Sequence, residues 1–171
     1  SAAFALLAMV AAGAVPLRLA ADRDGQPTGI LSRDGRVLAR LYVHYRLPVD
    51  IDEVPTPTIR AVLAAEDARF FRHHGLDGRG ILRAAWVNLR AGRIVQGGST
   101  ITQQLVRLDL LDDRRTLWRK LREVVLALRV ERGMTKREIL ERYLNAVYFG
   151  GGAYGIGAAA RSYFRKPVSA L

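Results

Sequence analysis

The chain has 171 residues, half of them hydrophobic, no cysteine and a formal net charge of +11. That length supplies one sizeable core and fits a single domain, while the missing cysteines exclude a disulfide framework and a thiolate metal site. The basic residues are 24 Arg against 3 Lys, a surplus that suits an anionic partner (nucleic acid, an acidic membrane surface or a phosphorylated substrate) without choosing among them.

From Ser1 to Leu17 the chain carries no charge, and Arg18 ends the run. A full membrane span takes roughly 20 apolar residues, so residues 1–19 are expected to be a transmembrane signal anchor that lacks its cytoplasmic end. A cleaved signal peptide is the competing reading, since small residues with A-x-A spacing surround Ala11–Ala14. A buried core helix fits less well with the Ala/Gly richness of the run. Residues 20–57 form a connector. Within it, the turn signal Ser32-Arg33-Asp34-Gly35 lies between Ile30-Leu31 and the apolar segment Val37–Val43, which predicts a short hairpin. Pro48, Pro55 and Pro57 then punctuate the chain.

From Thr58 onward the spacing predicts helices. Ile59, Val62, Leu63, Glu66 and Phe70 recur at helical period over 58–71, as do Ile81, Leu82, Ala85, Trp86 and Leu89 over 79–91. After Gly97-Gly98, Ser99 or Thr100 can cap a helix containing Ile101, Leu105 and Leu108. Residues 115–132 place Leu117, Leu121, Val124, Val125 and Leu128 on one stripe, closed by Gly133. Thr135 with Glu138 forms a capping box, and Met134 with Ile139 a hydrophobic staple. The glycines after Phe149 precede a last helix over about 155–164. The domain is therefore mainly α.

Three features carry chemistry. Glu66 falls on the apolar arc of its helix, where desolvation would favour a general acid or base, with Asp67 as its polar neighbour. On this helix alone, a carboxylate ion-paired at the core edge is an equally good account. The segment Gln96-Gly97-Gly98-Ser99-Thr100-Ile101-Thr102-Gln103-Gln104 predicts exposed amides at a helix N-terminus, an arrangement suited to anions, although an ordinary capped helix has the same look. Arg115, Arg119 and Glu123 recur at i, i+4 and i+8 opposite the Leu/Val stripe. They form either a solvated charged face or a carboxylate among phosphate-binding cations. His73 reads as a turn-stabilising hydrogen-bonding residue, and no histidine has metal-ligand spacing.

Taken together, these segments resemble the peptidoglycan glycosyltransferase family, which comprises the glycosyltransferase domains of class A penicillin-binding proteins and the monofunctional transglycosylases. Glu66-Asp67-x-x-Phe70-x-x-His73-x-Gly75 resembles its first motif, and Gly97-Gly98-Ser99-Thr100-Ile101-Thr102-Gln103-Gln104-Leu105 its second. Arg119-Lys120-x-x-Glu123 resembles the third, Ile139-Leu140-Glu141-x-Tyr143-Leu144-Asn145-x-x-Tyr148-x-Gly150 the fourth, and Tyr154-Gly155 to Tyr163-Phe164 the fifth. The resemblance spans about residues 30–171. It implies a lysozyme-like fold over 58–171, continued in the family by further helices, with a membrane-dipping apolar part. It implies polymerisation of lipid II into β-1,4-linked glycan, with Glu66 as general base and Glu123 assisting departure of the lipid pyrophosphate. That assistance is either direct or through a divalent cation (Mg or Mn) held at Glu123.

The resemblance further implies that Arg107, Arg115, Arg119 and Lys120 bind phosphate. Ser99, Thr100, Gln103 and Gln104 would line the donor groove, with Asp67 and Asn145 as further substrate-binding candidates. The implied partners are lipid II, the growing glycan, an anionic membrane and a cell-wall synthesis complex, with no nucleic acid. The implied location is the bacterial inner (plasma) membrane, single-pass, with the domain on its outer face. Two departures stand out: Arg107-Leu108 replaces the family's Lys-Asn, and Arg165 replaces a Gly. No transpeptidase motif of the S-x-x-K type is present. A lysozyme-like lytic enzyme acting on preformed peptidoglycan is the alternative.

Overall fold

The computed structural model describes residues 28–31, 37–41, 45–110 and 117–171. The expected anchor over 1–19, the Ser32–Gly35 turn and Arg115 lie outside them. Strands β1 (Thr28–Leu31) and β2 (Val37–Leu41) pair antiparallel. The short strand β3 (Tyr45–Arg46) then pairs in parallel with β4 (Ala153–Tyr154), near the other end of the chain.

Between these strands the chain is mainly helical: α1 (Thr56–Glu66), α2 (Gly78–Ala91), α3 (Ile101–Leu110), α4 (Leu117–Gly133) and α5 (Lys136–Ala146). The one-turn helix α6 (Ile156–Ala159) follows β4 and continues into a π-helical turn, Ala160–Phe164. No helix among the described residues is long and apolar enough to cross a membrane.

Helix α3 is the central element, packed against both α4 and α5. It buries Ile101, Thr102, Gln103, Leu105 and Val106. Around it gather Phe70, Leu126, Ala127, Val130, Ile139, Leu140, Tyr143, Leu144 and Ile156. Fully burying a Leu, Ile or Phe side chain contributes about 1.5–3 kcal/mol, so this cluster is the main source of the fold's stability. Helix α5 begins as its residues dictate. Thr135 accepts from the Glu138 amide, and the Glu138 carboxylate accepts from the Thr135 amide at 2.7 Å.

Three periodicity-based expectations are corrected here. Helix α1 ends at Glu66, because Asp67 leaves helical geometry (φ −158°, ψ 77°), so the arc drawn from Ile59 to Phe70 does not exist as one helix face. Helix α2 buries only Gly80 and Ala84, while Leu82, Trp86 and Leu89 point outward. Helix α4 buries Glu123, Leu126, Ala127 and Val130, and Leu117 is 93% exposed. Apolar residues occur on both faces of α4. The buried face is the one that completes the core, and Glu123 goes inward with it because cations accompany it.

Candidate active site

A cavity of about 560 Å³ opens where the end of α1, the start of α2 and the loop before α3 meet. Glu66, Asp67, Arg69, Asp77, Arg83, Ser99, Thr100, Gln104 and Arg107 contribute to its wall. The loop over 92–100 is held by Asn88, whose Oδ1 accepts from the amides of Val95 (2.8 Å) and Gln96 (2.9 Å) and whose Nδ2 donates to Gln96 O.

The two acidic residues at the end of α1 have opposite environments, and the sequence assignment of the buried one is corrected. Glu66 is exposed to the cavity, where its Oε2 accepts from Gln104 Nε2 at 3.0 Å. Asp67 is the buried partner. Its carboxylate meets His73 Nε2 at 3.1 and 2.9 Å and accepts the Ile101 amide at 3.1 Å. Asp67 therefore ties the first motif to the start of α3, and its oxygens are engaged within the protein. A buried carboxylate needs such partners, since an unpaired one would be strongly disfavoured.

The start of α3 is capped rather than open. Thr100 Oγ1 accepts the Gln103 amide at 3.2 Å, and Gln103 Oε1 accepts the Thr100 amide at 3.0 Å. This is the reciprocal capping box of a T-x-x-Q sequence. Thr100 Oγ1 also donates to Gly75 O at 2.6 Å. Gly75 sits at φ +88°, where an added Cβ would press on Ala127 O at 3.2 Å, so glycine lets this turn lie against α4. The amides of Thr100, Ile101 and Gln103 are thus taken internally and are not presented to the cavity. Gln103, only 2% exposed, stands outside the cavity wall, whereas Ser99 and Gln104 remain on it.

Cations supply the positive charge instead. Arg69 pairs with Asp77 at 3.7 Å, and the exposed Arg83 and Arg107 stand on the wall. Glu123 is 2% exposed and is not a wall residue. It pairs with Lys120 one turn earlier and with Arg119 at 3.7 Å. Lys120 Nζ also donates to Ser99 Oγ at 3.2 Å, which links the buried carboxylate to the cavity rim. A pair of cations already compensates Glu123, and among the described residues no three of His, Asp and Glu converge as metal ligands.

Asn145 is placed away from the cavity. Its Nδ2 donates to Val49 O at 2.8 Å and its Oδ1 accepts the Val49 amide at 2.9 Å, so it clamps the connector to α5. Three wall residues, Arg69, Asp77 and Arg83, were not singled out from sequence. Neither was Tyr143, whose hydroxyl donates to Gln104 Oε1 at 3.3 Å. Burial, with the Glu66 charge adding to it and Arg107 opposing, pushes the Tyr143 phenol well above its ordinary value. A tyrosine inside the apolar row Ile139-Leu140-Tyr143-Leu144 was the available signal, because a buried hydroxyl requires a partner.

Comparison with known proteins matches residues 34–171 to the Transglycosylase family. The chain is 51% identical over 145 residues to Penicillin-binding protein 1A of Escherichia coli K12, covering 85% of this chain and 17% of that protein. It is 48% identical over 143 residues to Penicillin-binding protein 1A of Aquifex aeolicus, covering 84% and 20%. It is 45% identical over 142 residues to Penicillin-binding protein 1F of Bacillus subtilis, covering 83% and 20%. The chain thus spans about a fifth of the length of the curated relatives it matches.

Proposed function

The chain belongs to the transglycosylase family, and on that premise we propose that it is a peptidoglycan glycosyltransferase. It polymerises lipid II into β-1,4-linked glycan with release of undecaprenyl pyrophosphate, in bacterial cell-wall synthesis. Its main support is the Glu66 carboxylate, which stands in a 560 Å³ cavity whose wall also carries Arg83 and Arg107. Displacing a pyrophosphate with inversion requires a base on one face of the sugar and cations at the leaving group.

Glu66 takes the proton of the acceptor's 4-hydroxyl as that oxygen bonds to the donor's anomeric carbon. The bond from that carbon to the pyrophosphate oxygen breaks, and the pyrophosphate departs with the electron pair. Arg107, Arg119, Lys120 and, outside the described residues, Arg115 receive the developing charge. Glu123 acts by holding Lys120 and Arg119 in place. Ser99 and Gln104 contact the sugar or phosphate from the wall.

The mainly helical domain takes a lysozyme-like arrangement. The exposed Leu82, Trp86, Leu89 and Ile94, interspersed with Arg79, Arg90 and Arg93, rest on an anionic membrane surface. Residues 1–19 anchor the chain in the bacterial inner (plasma) membrane, with the domain on its outer face and alongside a cell-wall synthesis complex. The test is to offer labelled lipid II and, separately, preformed glycan. Polymer from lipid II is expected. Cleavage of preformed glycan without polymer would identify a lysozyme-like lytic enzyme and overturn the reading.

A further inference from the structure

We propose that Tyr143 is a positioning residue for Glu66, acting through the side-chain amide of Gln104. The inference rests on Glu66 being the base of the transfer reaction. Three helices meet in this chain of contacts: Tyr143 on α5, Gln104 on α3 and Glu66 at the end of α1. The Tyr143 hydroxyl donates to Gln104 Oε1 at 3.3 Å, and Gln104 Nε2 donates to Glu66 Oε2 at 3.0 Å.

The logic lies in the two ends of an amide. An amide is nearly symmetric in shape but opposite in hydrogen-bonding character at its two ends. Turned over, Gln104 would set its oxygen against the Glu66 carboxylate, acceptor against acceptor. The Glu66 carboxylate, which only accepts, selects the orientation that turns Nε2 toward it, and the Tyr143 hydroxyl then holds the far end of the amide in place by donating to Oε1. Tyr143 belongs to the core cluster and is 2% exposed, so its hydroxyl has a defined place. The buried phenol keeps its proton, which preserves it as a donor.

Glu66 itself stands exposed at a helix terminus, and among the described residues Gln104 is its only hydrogen-bond partner. An exposed glutamate otherwise samples many rotamers, and restricting it has an entropic cost that a preorganised partner offsets. The role is distinct from substrate contact, because the Tyr143 ring is enclosed in the core and is absent from the cavity wall.

The test is a double-mutant cycle of Tyr143→Phe and Gln104→Ala in the full chain, read by labelled lipid II polymerisation and thermal melting. Tyr143→Phe keeps the ring and the core packing. It is expected to lower kcat about 5- to 10-fold, the worth of one hydrogen bond of about 1 kcal/mol or slightly more, with KM for lipid II unchanged. In the Gln104→Ala background, Tyr143→Phe should have no further effect on kcat, the signature of a residue acting through another. Equal effects of Tyr143→Phe in both backgrounds, an unchanged kcat in the single variant, or a rise in KM alone would overturn the inference. Glu66→Gln is assayed beside them. Retained polymerisation by Glu66→Gln overturns the base assignment itself, whereas its loss together with additivity in the cycle overturns only the role of Tyr143.

Discussion

Replacing Asn145 with alanine separates a structural clamp from a substrate contact. Asn145 uses both ends of its amide on one peptide unit, donating to Val49 O at 2.8 Å and accepting from Val49 N at 2.9 Å. Truncation leaves two partly buried backbone groups without their protein partner. At about 1–1.5 kcal/mol for each hydrogen bond lost, the variant is destabilised by about 2–3 kcal/mol. In a domain of this size each kcal/mol moves Tm by about 2–4 °C, so the expected fall is about 4–12 °C. Thermal unfolding followed by circular dichroism reads that shift, and lipid II kinetics well below the transition read function. KM should be unchanged. An unaltered Tm with a raised KM would refute the reasoning and return Asn145 to the substrate-binding set.

Gly155 lies against the same asparagine, at φ +84° and ψ 155°, with the position of an added Cβ 2.7 Å from Asn145 O. Gly155→Ala should therefore cost about 3 kcal/mol or more from backbone strain and overpacking, and a melting curve matching wild type would contradict this packing. Lys120→Met removes the nearest counter-charge of the buried Glu123. Breaking a buried pair costs about 3–5 kcal/mol, but Lys120 is itself half-exposed and Arg119 remains, so about 1–3 kcal/mol is expected in urea unfolding. No loss of stability would show that Glu123 does not depend on Lys120. The Thr135 amide and hydroxyl hold the Glu138 carboxyl below its ordinary value of 4.5. Because the folded value is the lower one, the stabilisation is present above the ordinary value and is lost as pH falls through the folded one. Hydrogen exchange at Thr135 should lose protection over that acidic range while the α3 amides keep theirs, and equal loss in both places would contradict the sign.

What was legible in the sequence was local. The Thr135–Glu138 capping box and the start of α5 depend on four consecutive residues, and they form as their spacing predicts. The glutamine form of that capping-box pattern, T-x-x-Q, was present at Thr100–Gln103, yet its neighbouring glycines and glutamines drew it toward a groove-lining role. The structure uses Thr100 and Gln103 as a cap and leaves Ser99 and Gln104 facing the cavity. Periodicity failed where it was carried past a helix end. Glu66 does share the face of α1 that carries Ile59, Val62 and Leu63, but it is the last residue of the helix, and there that face opens onto the cavity instead of the core.

Helices α2 and α4 misled for another reason: a stripe of Leu, Ile and Trp specifies an apolar face but not what that face meets. On α2 the buried positions are the small ones: Gly80 lies under the Asp77 carboxylate, where an added Cβ would come within 2.7 Å of Asp77 Oδ2, and Ala84 packs beside Gly98. Long-range pairings, such as Tyr143 with Gln104 and Asn145 with Val49, join positions 39 and 96 residues apart. No spacing rule reaches that far.

The central claim is that Glu66 is the base of a lipid II polymerase. The measurement that tests it most directly compares wild type with Glu66→Gln, an isosteric change at an exposed side chain, on fluorescent lipid II, with products separated by glycan length. General-base catalysis contributes about 10²–10⁴-fold, so the initial polymerisation rate should fall by at least about 10²-fold with the melting temperature unchanged. A Glu66→Gln protein that builds the same glycan ladder at the wild-type rate would contradict the account.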